Sequence, residues 1–217
     1  MTEPVPQAAP QAAPQAAPQA ATAHDADPAL HPADNFIAAS LARLTRGVRD
    51  RRSDFHVIGL ATTGADGAPR LRSVVLRGRA AQTGQITFHT DARSAKFAEL
   101  ARDGRAALLA YSHAAKLQIR IEGEVTLHHD DVEADAIWRA LPEGARQIYR
   151  TQLPPGTEAA PDRLDLTLSM EEAARHFAVC HLRPALYDVL WLRPEGHRRA
   201  IGTPDGAGKL AARWVAA

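Results

Sequence analysis

Residues 69–79 read Pro-Arg-Leu-Arg-Ser-Val-Val-Leu-Arg-Gly-Arg. Leu71, Ser73, Val75 and Arg77 fall on one side of a period-two pattern, and Arg72, Val74 and Leu76 on the other, as successive side chains do on a β-strand. The turn signal Gly64-Ala-Asp-Gly67 precedes this strand, and the apolar, β-prone run 55–62 precedes the turn, so the two runs predict a hairpin. Further strand patterns follow at 86–90, 105–111, 116–127, 185–192, 197–201 and 210–215. Helical spacing marks the segment from Asp34, read as an N-cap, to about Asp50, and also 94–101, 130–140 and 143–150. A Ser169-x-x-Glu172 capping box opens one more helix, expected to run to about Cys180. Strands in runs joined by short turns, with helices inserted between them, predict an α+β fold. Closing the antiparallel strands into a barrel removes exposed edges.

Composition narrows the function. The chain has 217 residues and a formal net charge of +1, which gives no basic field for nucleic acid. No apolar run is long enough to span a bilayer, and no charged-then-apolar leader is present, so a cytoplasmic protein without membrane contact is expected. The single cysteine, Cys180, lies in the apolar run Phe-Ala-Val-Cys and reads as a small core residue. Residues 7–21 repeat Gln-Ala-Ala-Pro and carry no core-forming side chains. Residues 1–33 are therefore expected to be a disordered tail, and 34–217 one domain. No Walker loop or Gly-x-Ser-x-Gly elbow occurs.

Three stretches carry chemistry. Arg72 and Arg77 stand five residues apart on one strand, so they point to opposite faces, and an arginine inside an apolar strand calls for an anionic or hydrogen-bonding partner. The run 89–96, His-Thr-Asp-Ala-Arg-Ser-Ala-Lys, lies where a strand passes into a helix. Free amides, hydroxyls and cations there form a phosphate cradle, or an ordinary helix cap. Gln118, Arg120 and Glu122 share a strand face and either read the polar edge of a ring or form the barrel's polar exterior. The local cluster His128-His129-Asp130-Asp131 reads as a turn and helix cap, and no metal site is expected.

In this order, RSVVLRG (72–78), FHTDARSAKFAEL (88–100) and LQIRIEGEV (117–125) resemble the flavin-binding core of the pyridoxamine 5′-phosphate oxidase-like family. RQIYRTQLPPG (146–156), YDVLWLRPEGHRRA (187–200) and RWVAA (213–217) extend the resemblance over nearly everything outside the tail. It implies an FMN-binding split β-barrel, antiparallel and Greek-key-like, with peripheral helices. It also implies a homodimer holding flavin mononucleotide (FMN) at its interface. By motif position Arg72, Ser73, Val74, Val75 and Leu76 would line the flavin, with Arg72 and Lys96 on its phosphate. His89, Thr90 and Ser94 would hold the ribityl-phosphate end. Gln118 would come from the second subunit or close to it, and Trp191 and Arg199 from the C-terminal strands. Arg77 and His197 would face a small-molecule substrate. The implied activity is an FMN-dependent oxidoreductase acting by hydride transfer; the alternatives are a non-catalytic flavin-binding or sensing protein and a haem-handling member of the fold. Ala95 and Glu195 stand where classical oxidases carry arginines, so the resemblance implies flavin binding without implying pyridoxamine phosphate as the substrate.

Overall fold

The structure, a computed structural model, describes residues 32–164, 167–205 and 209–217. The tail expected at 1–33 lies outside the described residues except for its last two positions.

Helix α1 (Ala33–Arg46) has its N-cap at Pro32, two residues before the expected cap at Asp34. Asp34 sits in the first turn, where its Oδ1 accepts from the Asn35 N–H at 2.9 Å and its charge faces the helix's positive end. Strands β1 (Val57–Thr63) and β2 (Pro69–Arg79) form the predicted hairpin, closed by a turn in which Gly67 takes φ 79° and the Gly64 N–H donates to the Ala68 carbonyl. β3 (Ile86–Asp91) pairs with β2, with a register shift between Leu76 and Gly78. The chain then crosses through α2 (Ala95–Arg102), and β4 (Arg105–Ser112) pairs beside β1 instead of β3, which makes the order Greek-key-like.

β5 (Leu117–His129) pairs with β4 on one side and along nearly all of β6 (Phe177–Trp191) on the other. The first six residues of β6 also pair with β3, closing β1–β6 into an antiparallel six-stranded barrel. The far half of β6 carries β7 (Arg198–Pro204), which carries β8 (Leu210–Val215). Between β5 and β6 run α3 (Val132–Ala140), α4 (Glu143–Arg146) with a 3₁₀ turn over Gln147–Tyr149, α5 (Pro161–Leu164) and α6 (Met170–Ala174).

The Ser169–Glu172 capping box forms as expected, but its helix ends at Ala174, and Phe177–Cys180 belongs to β6. These four residues are buried on both faces. Phe88, Leu182 and Cys180 belong to the barrel interior, while Phe177 and Val179 join a second core outside it. A strand covered on both sides loses the polar-apolar alternation that distinguishes it from a buried helix. In the second core, the Trp138, Tyr149 and Phe177 rings lie 5.2–5.8 Å apart. α1 adds Ile37, Leu41 and Leu44 to the barrel core, with Phe36 against Trp214 on β8. Among the described residues, no helix is long and apolar enough to cross a membrane.

Candidate functional site

The barrel turns Arg72 inward near one rim, opposite Leu60 of β1. There its Nη2 donates to Glu99 Oε2 at 2.5 Å and its Nη1 to Thr62 Oγ1, while the Thr62 hydroxyl donates to Glu99 at 2.6 Å. Burial raises the Glu99 carboxyl's pKa, but the Thr62 and Arg72 hydrogen bonds outweigh it, so the net pKa is lowered and the group stays ionised. One helical turn earlier on α2, Lys96 Nζ donates to Thr90 Oγ1 at 3.2 Å, and Thr90 Oγ1 lies 3.1 Å from Ser94 Oγ. Thr90 and Ser94 are both buried. Burial first, and then the neighbouring Arg72 charge, lower the Lys96 pKa. Among the described residues Lys96 forms no ion pair. Two cations and two buried hydroxyls thus converge on one rim, where Glu99 pairs with Arg72 and both Asp91 and Glu99 act on Lys96.

On the barrel's outer face, Ser73, Val75 and Arg77 alternate with the core residues Val74 and Leu76. Val74 and Leu76 therefore offer a ligand only backbone groups. Arg77 and His89 lie near each other and near Tyr149 in the second core, and His89 stacks edge-on against Phe177 at 5.0 Å. Burial, helped by the Arg77 and His181 charges, pulls the His89 pKa down to about 4, so its imidazole is neutral at physiological pH. Burial likewise pushes the Tyr149 hydroxyl upward. Arg77 Nε and Arg146 Nε are buried without a hydrogen-bond partner. Arg79 Nε and Arg120 Nε are in the same state, so the unmet Arg77 Nε is a donor open to an oxygen-bearing ligand without setting this face apart.

The remaining predicted residues lie at the other end of the long strands. Gln118 is opposite Tyr111 and Leu190, and Trp191 is opposite Leu117. Arg199 is held in a bidentate pair by the buried Asp188 at 2.7 and 2.9 Å, and Arg120 reaches the same carboxylate at 3.0 Å. His197 is exposed, and its Nδ1 accepts from the Arg193 N–H. Thr90 faces Ala178 and Gln118 faces Leu190, positions twelve residues apart on β6, or roughly 40 Å of strand. The chain therefore brings Arg72, Thr90, Ser94 and Lys96 together, with Ser73, Val75, Arg77 and His89 on the adjoining outer face. It does not bring Gln118, Trp191, His197 and Arg199 to them.

Residues 38–129 match the family described as the pyridoxamine 5′-phosphate oxidase FMN-binding domain. A pyridoxine/pyridoxamine 5′-phosphate oxidase of Anaeromyxobacter dehalogenans is 32% identical over 176 residues, which cover 79% of this chain and 83% of that one. The chain belongs to the pyridoxamine 5′-phosphate oxidase-like family. A relative of the same description from Cupriavidus metallidurans is 42% identical, but over only 40% of either chain. Among solved structures, a pyridoxamine 5′-phosphate oxidase-related, FMN-binding protein of Nostoc punctiforme superposes with a TM-score of 0.65. It is 25% identical, with 86% of this chain and 98% of that one covered. PhzG of Burkholderia lata, solved with tetrahydrophenazine-1-carboxylic acid, shares the fold at the same TM-score, with 18% identity over 86% of this chain and 94% of that one.

The family's members bind flavin, and the residues present fit an FMN-sized group. Half-buried Lys96 beside Arg72 forms no ion pair among the described residues, with Asp91 and Glu99 acting on it only from beyond contact, and Arg77 presents an unmet donor to the adjoining face. Sequence reading missed Glu99, which orients Arg72, and Asp188, which orients Arg120 and Arg199. A lone acid inside the apolar run Tyr187-Asp-Val-Leu-Trp191 was the available signal for Asp188.

Proposed function

We propose that the chain is an FMN-binding oxidoreductase that works as a homodimer, with a flavin in each of two symmetric interface grooves. The observation that carries this reading is the half-buried Lys96, joined by Arg72 and the buried Thr90 and Ser94 hydroxyls around a position suited to one terminal phosphate. The dimer is supported by an apolar stripe on the outer face. Leu71 is 72% exposed and Leu109 41%, and they flank Gly59, where a Cβ would touch both side chains; Val57 and Tyr111 extend the stripe. Ser73 and Val75 border it on one side and Gln118 on the other. A two-fold axis through the stripe sets one protomer's Ser73–Arg77 side against its partner's Gln118–Arg199 side, joining what a single chain holds apart.

Bound flavin supplies the redox chemistry, by hydride transfer with a small-molecule substrate. The chain's own groups bind and orient. Arg72 and Lys96 neutralise the phosphate, and Ser94 and Thr90 donate to its oxygens. Arg77 offers a donor to an oxygen-bearing substrate, and neutral His89 exchanges hydrogen bonds without adding charge. Cys180, whose thiol burial pushes up to about 12, takes no part.

The test begins with the visible spectrum of freshly purified protein and the mass of what heating releases. A flavin spectrum and an FMN mass are expected. Anaerobic bleaching by an amine or by reduced nicotinamide then separates an oxidoreductase from a flavin-binding protein that does not turn over. A colourless protein that takes up no added FMN would sink the assignment.

A further inference from the structure

The pairing of β5 with β6 assembles a side-chain cluster that the local sequence hides. His128 and Thr126 share a face of β5, and Thr126 is opposite His181 of β6, so the two imidazoles are diagonal neighbours with ring centroids 5.3 Å apart. Glu133, in the first turn of α3, reaches between them. Its Oε2 lies 3.3 Å from His128 Nδ1 and its Oε1 2.7 Å from His181 Nε2. All three donor atoms fall within 4.8 Å of one another. Asp131, the α3 N-cap, accepts from the Ala134 N–H with Oδ1 and turns Oδ2 to His128 Nδ1 at 2.9 Å, beside the cluster. From β3, Thr87 Oγ1 lies 2.9 Å from His181 Nδ1, which fixes that ring with Nε2 toward Glu133.

We infer that His128, Glu133 and His181 form a binding site for a divalent transition-metal ion of the zinc class. Two imidazoles and a carboxylate on three different elements are a borderline-soft set, which suits Zn²⁺, Co²⁺ or Ni²⁺ better than Ca²⁺ or Mg²⁺. Donors around a tetrahedral zinc stand roughly 3.3 Å apart; here they lie within 4.8 Å of one another, near enough for small side-chain shifts to close on an ion. His128 and His181 are largely covered, so they are positioned before any ion arrives; Glu133 is half-exposed and leaves an entry path. Thr87 is the outer partner that a metal-bound imidazole needs: with Nε2 on the ion, Nδ1–H donates to the Thr87 hydroxyl. Asp131 or water completes the coordination. The ion would tie β5, β6 and α3 together on the face that also carries His89, two residues along β3 from Thr87.

The inference does not depend on flavin, and its test is run with and without FMN. Full-length protein is stripped with a chelator, dialysed and titrated with Zn²⁺ by calorimetry; Co²⁺ is then added and its visible ligand-field bands recorded. One ion per chain is expected, together with a rise in melting temperature. His128→Ala and His181→Ala each weaken Zn²⁺ binding at least about tenfold and abolish the rise, while Thr87→Val weakens it less and the exposed His113→Ala leaves it unchanged. Glu133→Gln changes only a half-exposed carboxylate, so it folds and still weakens binding. Absence of binding by the unaltered protein at high micromolar Zn²⁺ would overturn the site. So would an affinity that survives both histidine substitutions and Glu133→Gln.

Discussion

At the scale of single residues, Arg72 and Lys96 separate binding from folding. Arg72 holds Glu99 and Thr62, so Arg72→Ala leaves a mostly buried carboxylate without its cation and costs about 1–3 kcal/mol of stability as well as flavin. Lys96 forms no ion pair among the described residues, and burial already disfavours its charge. Lys96→Met is therefore expected to leave the melting temperature of flavin-free protein unchanged or higher, while FMN affinity falls about tenfold or more. Melting curves and fluorescence titrations with FMN check both; a Lys96→Met protein that keeps full affinity would remove the phosphate role. His89 gives a pH signature. Its folded pKa of about 4 lies below the ordinary 6.5, so the native state favours the neutral ring. The stability this contributes is present above pH 6.5 and is lost as pH falls from there toward 4, up to about 3 kcal/mol in all. Urea midpoints measured between pH 4 and 7 should fall more steeply for the unaltered protein than for His89→Gln.

At the scale of elements, the barrel's fit depends on a bulge that glycine makes possible. The β5–β6 register shifts between Glu122 and Gly123, with Gly123 opposite Pro184, which as a proline cannot donate to the ladder. A Cβ at Gly123 would stand 2.1 Å from the Arg183 carbonyl oxygen, a backbone atom that can move only if the strands part. Gly123→Ala is expected to cost about 2 kcal/mol or more. Gly144→Ala in α4, where a Cβ meets nothing within 4 Å, should be neutral or slightly stabilising. Equal urea midpoints for the two variants would show that the strands yield there. Most elements are legible in the sequence because one face is wet: the alternation marks β2 to the residue, Ser169 caps its helix as its spacing indicates, and the helix expected from 130 starts at Val132 behind an Asp131 cap. Phe177–Cys180 was misread because two cores cover it. Asp34 was taken for a cap because a proline at that position carries no side-chain acceptor to signal it.

At the scale of the whole molecule, motif order revealed the rim of Arg72, Thr90, Ser94 and Lys96, because those residues lie on segments close in the chain. Glu99, Asp188 and the His128–Glu133–His181 cluster were not legible, since each depends on which strands or helices become neighbours. The strand order agrees with the resemblance, which sets Gln118 on the second subunit or close to it: within one chain Gln118 lies at the far end of the β5–β6 ladder from Thr90. Gln118, Trp191 and Arg199 stand at the far end of the β5–β6 ladder, so in the proposed dimer they would reach the rim cluster only across the interface. That argument makes assembly and cofactor binding one property. Leu71→Arg combined with Leu109→Arg places four like charges on the two-fold stripe while touching neither the rim cluster nor the barrel core, since both leucines point outward and are exposed. Light scattering should find a folded monomer, and FMN affinity should fall together with the dimer, although every phosphate ligand remains in place. A monomer that binds FMN as tightly as the unaltered protein would show that the flavin site is complete within one chain.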